Sequence, residues 1–108
     1  MIYEYRIYEA MPGRMGDLQA RFRDHTMAIF QRHGINIVGF WTPSVGDFND
    51  RLIYILGFED VAQREKAWAD VTADPEFGRI IAESEKQGKL VARIRNTLLE
   101  PTDFSPLQ

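Results

Sequence analysis

Hydrophobic and polar residues alternate with a period of two at the start of the chain. Residues 2–9 are rich in β-branched and aromatic side chains, which favour a pleated, half-buried strand. One face of this predicted strand carries Tyr3, Tyr5 and Ile7. The opposite face carries Glu4, Arg6 and Tyr8. Met11-Pro12-Gly13 is a sequence of turn formers, so we expect the strand to end there.

The period changes to that of an amphipathic helix over residues 13–32. Side chains at helical spacing form one stripe, which consists of Met15, Leu18, Phe22, Thr26 and Ile29. Gly34 is predicted to end this helix in a left-handed conformation. Arg32 in the last turn suits the negative end of the helix dipole.

Two further strands are predicted at residues 35–42 and 51–58, joined by turn-forming residues as in a long hairpin. Strict alternation in the first of them puts these residues on one face: Ile35, Ile37, Gly39 and Trp41. The opposite face then carries Val38 and Phe40. The strand at 51–58 is apolar on both faces, which is unusual for an antiparallel sheet with one side in water.

A second helical region follows, with Asp60 as its predicted N-cap. Val61, Trp68 and either Val71 or Thr72 form its predicted inward stripe. Asp74-Pro75 restarts the helix, because aspartate caps a helix and proline suits its first position. The resumed helix turns Phe77, Ile80, Ile81 and Ser84 inward and ends at Gly88. Residues 90–99 are the predicted fourth strand, and Pro101 ends it.

The order strand, helix, strand, strand, helix, strand predicts an α+β fold. Two right-handed split βαβ units give a ferredoxin-like βαββαβ subunit, a four-stranded antiparallel sheet with both helices on one face. Residues 1–101 form this domain, and residues 102–108 form a C-terminal tail.

The helices cover only one face of such a sheet, yet both faces carry large apolar side chains. Monomers rarely leave an apolar patch of several hundred Å² in water. We therefore expect a two-fold homodimer in which the sheets of two copies pack together. The space between the sheets would be lined partly by Arg6, Tyr8, Trp41, Tyr54, Arg93 and Arg95.

The chain resembles the NIPSNAP family, within the dimeric α+β barrel superfamily. The matching segments are residues 3–8, Pro12-Gly13, residues 32–34 followed by 38–41, the loop with Gly46 and Asn49, and residues 60–75. The resemblance implies a ferredoxin-like subunit that pairs into a dimeric α+β barrel. That superfamily includes cofactor-independent monooxygenases, haem-degrading enzymes, isomerases and proteins without a known activity, so fold alone does not choose a reaction.

Composition narrows the possible partners. The 108 residues carry a net charge of −3 and no cysteine, which excludes disulfides, thiolate metal sites and a cysteine nucleophile. The chain has no run of basic residues, so nucleic acid is not an expected partner. It also has no apolar run long enough to cross a bilayer. A cytoplasmic protein is therefore expected. We expect no cofactor, since phosphate-loop and dinucleotide motifs are absent, and no metal, since the two histidines are eight residues apart.

Candidate site residues fall into two groups. His25 is the weak candidate for acid–base catalysis, with a structural role as the alternative, whereas His33 suits a helix end. The ligand-binding candidates are Arg6, Tyr8, Trp41, Tyr54 and Arg93. An arginine inside a barrel needs an anionic partner, which is either a ligand or a structural carboxylate such as Glu4. Aromatic side chains at strand ends and arginines on an edge strand also have structural explanations.

Three functions fit these residues. The favoured one is a homodimeric protein of undefined biochemical role that binds a small, partly apolar and anionic ligand in the barrel cleft, between sheet and helices. The second is a cofactor-independent monooxygenase or isomerase, and the third is a purely structural interaction module. The sequence shows no complete catalytic constellation, so it does not decide whether the protein is an enzyme.

Overall fold

Four strands and four helices make up the computed structural model, which describes residues 1–108. The strands are β1 (Ile2–Ala10), β2 (Asn36–Trp41), β3 (Arg51–Phe58) and β4 (Val91–Leu99). The helices are α1 (Met15–Arg21), α2 (Met27–Arg32), α3 (Val61–Ala73) and α4 (Pro75–Ser84). A π-helical segment, Phe22–Thr26, joins α1 to α2. The predicted element order is confirmed.

The strands form one antiparallel sheet in the order β2-β3-β1-β4. This is the ferredoxin-like arrangement that the sequence predicts, with β1 at the centre and β4 at an edge. Arg6 lies opposite Tyr54 on one side and opposite Asn96 on the other. Side chains of directly opposed residues share a face, so this register decides which groups meet between sheet and helices.

The predicted helix boundaries are confirmed at three places. Asp60 accepts a hydrogen bond from the Gln63 N–H at 2.8 Å, and Asp74 accepts one from the Glu76 N–H at 2.9 Å. Gly34 has a φ of 75°, the left-handed conformation predicted for it. Caps of this kind satisfy backbone groups that a helix end otherwise leaves unpaired.

The apolar core lies between the sheet and the helices, and aromatic rings dominate it. Phe22 makes edge-on contacts with Tyr8 and Phe40, with ring centroids 5.3 and 5.8 Å apart. Most of the predicted stripe of the first helical region is buried, namely Leu18, Phe22, Thr26 and Ile29. In α3 the predicted stripe is wrong at Val61, which is half exposed. Burial in α3 begins further along, at Ala67 and Val71.

A β-bulge in β2 overturns the strict alternation expected for that strand. Ile37 pairs with Leu56, but Gly39 pairs with the next residue of β3, Ile55. The extra residue between them shifts the pleat by one position. Ile37 therefore packs against the core, whereas Trp41 faces the opposite side with 49% of its surface exposed. The prediction that Ile37 and Trp41 share a face is wrong for this reason.

Arg6, Tyr8 and Tyr54 point toward the helices, as their contacts with α3 and the π-helical segment show. The expectation that they line a space between two sheets is therefore wrong. Register puts a different set on the face without helices, which we call the open face: Tyr3, Tyr5, Ile7, Trp41, Ile53, Ile55 and the β4 arginines. Part of this face is covered by the tail, since the Tyr3 hydroxyl donates to the Gln108 carbonyl oxygen at 2.7 Å. None of the helices has the length and hydropathy that spanning a bilayer would require.

Candidate functional site

A buried carboxylate organises the polar groups between the sheet and α3. Glu4 lies on the central strand and is fully buried. Its oxygens accept hydrogen bonds from Arg6 at 2.8 Å, Arg64 at 2.9 and 3.1 Å, and Trp68 at 2.8 Å. Asn96 of β4 adds another at 3.0 Å. A buried charge is tolerated only when it is paired and hydrogen-bonded, and Glu4 meets both conditions.

Two opposing effects act on the Glu4 pKa. Burial raises it, because the charged form loses its hydration. Hydrogen bonds from Arg64, Trp68, Asn96 and Arg6 favour the carboxylate more strongly, and they lower the pKa from 4.5 to about 2. Glu4 is therefore ionised at neutral pH and suits a structural counter-ion.

Arg6 and the two tyrosines form a closed hydrogen-bonded group beside Glu4. Arg6 donates through Nε to the Tyr54 hydroxyl at 2.8 Å and through Nη2 to the Tyr8 hydroxyl at 3.4 Å. The Tyr54 hydroxyl donates to Tyr8 at 3.1 Å. The guanidinium also lies 4.5 Å from the centre of the Trp68 ring, a favourable cation–π distance. The sequence-predicted residues Arg6, Tyr8 and Tyr54 are thus brought together, with partners from this chain.

The other two predicted ligand-binding residues lie elsewhere, on the open face. Trp41 packs over Gly39, where an added Cβ would come within 2.8 Å of its ring. Arg93 is two-thirds exposed and pairs with Glu9 at 2.9 Å. Arg95 lies 3.8 Å from the same carboxylate. These residues do not meet Arg6, because the sheet itself separates the two groups.

A cleft of about 580 Å³ opens between the α1–π-helical region and α4. Its wall is mainly polar and charged, and Ala20 and Ile80 are its apolar members. The wall includes Arg21, His25, Arg79 and Ser84. The volume is in the range of small-molecule sites. The catalytic candidate His25 thus lies at a cleft, though not beside Arg6.

Arg21 forms part of this wall, and the sequence pattern did not single it out. The residue is only 8% exposed, and Nη1 donates to the Ser84 hydroxyl at 3.2 Å. Burial lowers the pKa of the Arg21 guanidinium, and Tyr8 and Glu85 act in the opposite direction. The available signal was its position three residues after Leu18, which places both side chains on the same helix face.

A smaller, apolar slot of about 210 Å³ lies on the other side of the same helix. Phe22, Met27, Phe40 and Leu52 supply its apolar wall. The slot contains no acid–base group apart from the guanidinium of Arg23. It suits an aliphatic or aromatic group but offers no chemistry of its own.

His33 joins two helix ends. Its Nε2 lies 2.8 Å from Asp74 Oδ2, and Arg32 pairs with the same oxygen at 2.6 Å. Hydrogen bonds from Arg32 and His33 hold the pKa of Asp74 well below its usual range. This cluster links the end of α2 to the N-cap of α4, the helix-end role expected for His33. No group of three or more potential ligands is arranged to hold a metal ion.

Comparison with known proteins identifies the family. The NIPSNAP family model matches residues 3–106, which is nearly the whole chain. The chain belongs to the NIPSNAP family. No curated protein matches it.

Solved structures of similar proteins share the subunit fold. An uncharacterised NIPSNAP-like domain protein from Burkholderia xenovorans has 28% identity and a TM-score of 0.85, over 97% of this chain and 88% of that one. A NIPSNAP family protein from Agrobacterium tumefaciens has 26% identity and a TM-score of 0.88, over 99% and 98%. SnoaB from Streptomyces nogalater, described as a cofactor-independent oxygenase, has 17% identity and a TM-score of 0.63, over 97% and 96%. The last likeness is one of fold alone: this NIPSNAP chain and SnoaB share an α+β subunit fold.

Proposed function

We propose that this NIPSNAP protein is a homodimeric binding protein for a small molecule. The observation that carries the proposal is the 580 Å³ cleft between the α1–π-helical region and α4. The cleft has the size of a ligand site and a mostly polar wall. A small number of well-placed polar groups in a concave site is enough to orient a ligand.

The location differs from the one that the sequence suggested. Arg6 donates to Glu4 and Tyr54, and the Tyr8 hydroxyl accepts from Tyr54, so the cleft beside Arg21 is the better place for a ligand. Its wall has two apolar residues among twelve. The expected ligand is accordingly more polar than the partly apolar molecule suggested by the sequence.

Dimerisation is the second part of the proposal, and the open face supports it. Tyr5, Ile7, Ile53 and Ile55 lie side by side there in register, next to the half-exposed Trp41. Burying a large apolar side chain contributes roughly 1.5–3 kcal/mol. A second copy packed on this face would cover these groups and leave the ligand cleft, on the helical side, accessible.

Three measurements test the proposal. Multi-angle light scattering at low micromolar concentration is expected to give the mass of a dimer. A thermal-shift screen of polar metabolites is expected to find compounds that raise the melting temperature, because ligands that bind only the folded state stabilise it. Shifts of backbone amides around Ser84 in NMR spectra would place such compounds in the cleft. A monomer that binds none of the compounds would contradict the proposal.

A cofactor-independent oxygenase or isomerase is the second candidate. The observation in its favour is that His25 lines the cleft, where an imidazole is suited to remove a proton near neutral pH. The fold shared with SnoaB is compatible with this activity. Oxygen uptake should be measured with hydroxylated aromatic and lactone compounds. For this candidate, His25→Gln should abolish uptake and leave binding intact.

The third possibility, a structural interaction module, is an outcome of the same tests. It predicts a dimer that no compound in the screen stabilises. The packing of Arg6 against Tyr54 and Trp68 is consistent with a structural role for the Arg6 group. This packing does not explain the open cleft beside Arg21.

A further inference from the structure

Arg21 differs from the other poorly exposed arginines in its lack of a carboxylate partner. Arg6 and Arg64 both pair with Glu4, and Arg51 pairs with Glu9. Arg21 is more than nine-tenths buried and donates one side-chain hydrogen bond, to Ser84. A guanidinium has five N–H donors and stays charged in proteins. A buried charge of this kind is costly unless an anion compensates it.

The chain does not supply that anion. Glu85 acts on Arg21 only at longer range, and its Oε2 accepts a hydrogen bond from the Leu90 N–H at 3.4 Å. A second subunit on the open face would not reach Arg21 either, because the sheet lies between them. The remaining source is a molecule in the cleft that Arg21 borders.

The charges around the cleft indicate how much negative charge it accepts. The cationic side chains of the wall are Arg14, Arg21, Arg79 and Lys86, and the carboxylates are Asp17, Asp24 and Glu83. Two of these carboxylates are engaged, since Asp17 pairs with Arg14 and Glu83 with Lys86. The four arginine and lysine side chains and the three carboxylates give the wall a formal net charge of +1. One negative charge balances the cleft, and a doubly charged phosphate exceeds it.

Ser84 holds the guanidinium in a defined orientation. Its hydroxyl accepts from Arg21 and donates to the Ile81 carbonyl oxygen at 2.9 Å. The helix also departs from regular α geometry directly after Arg21, where the Met27 N–H bonds to the Phe22 carbonyl five residues back. Single π-helical turns of this kind occur frequently at functional sites.

We propose that Arg21 is the anchor of a carboxylate site, and that the cleft binds a small polar molecule carrying one carboxylate. The planar guanidinium presents paired N–H groups, which match the two oxygens of a carboxylate. This inference rests on the proposed function, since it names the ligand class of the same cleft. It also implies that the buried charge of Arg21 lowers the stability of the free protein and is compensated when the ligand binds.

The test compares lactate with two probes of different charge, lactamide and inorganic phosphate. Backbone amide NMR titrations of the wild-type protein are expected to show saturable shifts around Arg21 and Ser84 with lactate. Lactamide has the same shape without the charge, and we expect binding at least tenfold weaker. Phosphate is expected to bind more weakly than lactate at pH 8, where it is doubly charged.

Substitutions separate ligand binding from folding. Arg21→Met is expected to weaken lactate binding at least tenfold and to raise the melting temperature by a few degrees, because it removes a buried charge without a carboxylate partner. Arg21→Lys keeps the charge but loses the paired donors, and should bind lactate a few-fold more weakly. Arg23→Gln, which removes an exposed arginine outside this cleft, is the control and should leave lactate binding unchanged.

Each outcome has a distinct meaning. Lactate binding that survives Arg21→Met, or a melting temperature that falls in that variant, would overturn the carboxylate site. Equal binding of lactate and lactamide in the cleft would also overturn it, while the proposed function would stand. If lactate, lactamide and phosphate all fail to bind, the carboxylate site is wrong, and the proposed function depends on the wider screen.

Discussion

Glu4 is the residue on which the polar layer between sheet and helices depends. Its two oxygens connect β1 to α3 through Arg64 and Trp68, and to β4 through Asn96. It also holds Arg6, which in turn orders Tyr8 and Tyr54. Removing one partner of a buried ion pair leaves uncompensated charge, which costs far more than the net stabilisation by the intact pair.

Glu4→Gln is expected to lower the free energy of unfolding by about 3–5 kcal/mol at pH 7, because Arg6 and Arg64 lose their shared carboxylate. The folded-state pKa of Glu4, about 2, lies below the ordinary 4.5. Its contribution is therefore complete above about pH 4.5 and is lost as the pH falls toward 2. Urea unfolding between pH 7 and pH 2.5 should show this loss in the wild type but not in the variant.

Glu83→Gln is a suitable control for that experiment. Glu83 makes one exposed pair, with Lys86 at 3.2 Å, and exposed pairs contribute little. Its stability profile should follow that of the wild type. Parallel profiles for Glu4→Gln and the wild type below pH 4.5 would mean that Glu4 is not the shared counter-ion.

At the scale of elements, glycine conformation determines where the first helical region ends. Gly34 has a positive φ of 75° and nothing within 4 Å of the Cβ position. Gly16, at the start of α1, also has open space around it but no positive φ. An added Cβ meets no neighbour at either position, so a comparison of the two isolates the effect of backbone conformation.

Replacing each glycine by alanine should change stability in opposite directions. Gly34→Ala is expected to cost about 1 kcal/mol, because an L-residue is disfavoured in the left-handed region. Gly16→Ala is expected to raise the free energy of unfolding by about 0.5–1 kcal/mol. Alanine has a higher helix propensity than glycine, and it reduces the conformational freedom of the unfolded chain. Chemical denaturation of both variants measures the difference. Equal effects would show that helix termination does not depend on Gly34.

At the scale of the whole molecule, the sheet has two different faces. The helical side is filled by aromatic rings and the Glu4 network, whereas the open face has apolar side chains at its centre and charged ones at its rim. Glu9 lies at that rim between Arg51 and Arg93, at 3.5 and 2.9 Å. This pattern of apolar centre and polar rim is typical of protein interfaces.

Ile53→Arg is expected to convert the proposed dimer into a folded monomer, because Ile53 lies at the centre of the open face, between Ile7 and Trp41. A charge buried without a partner in that interface would cost several kcal/mol. Val61→Arg is the matched control, since Val61 is an exposed apolar residue of the helical layer. Sedimentation velocity at low micromolar concentration should show a smaller species for Ile53→Arg alone. A dimer that persists in Ile53→Arg would place the interface elsewhere.

Local patterns allowed the sequence to predict the elements and their caps. Asp60, Asp74 and Gly34 act on the backbone within a few residues of themselves, so their roles follow from neighbouring sequence. The same reasoning failed at Ile37, because a bulge depends on how β2 pairs with β3. It also missed Arg21, whose burial depends on α4 packing against the helix that carries it.

Periodicity, caps and chain order are properties of short segments, so they were enough to predict the α+β subunit, its strand order and its family. Which chemical groups meet depends instead on how the elements pack. Burial and pairing arise between elements far apart in the chain, as when Arg6 meets Tyr54 and Arg21 meets Ser84. The first arginine is neutralised within the fold. The second lacks an anionic partner, so the candidate ligand site lies at Arg21 and not at Arg6.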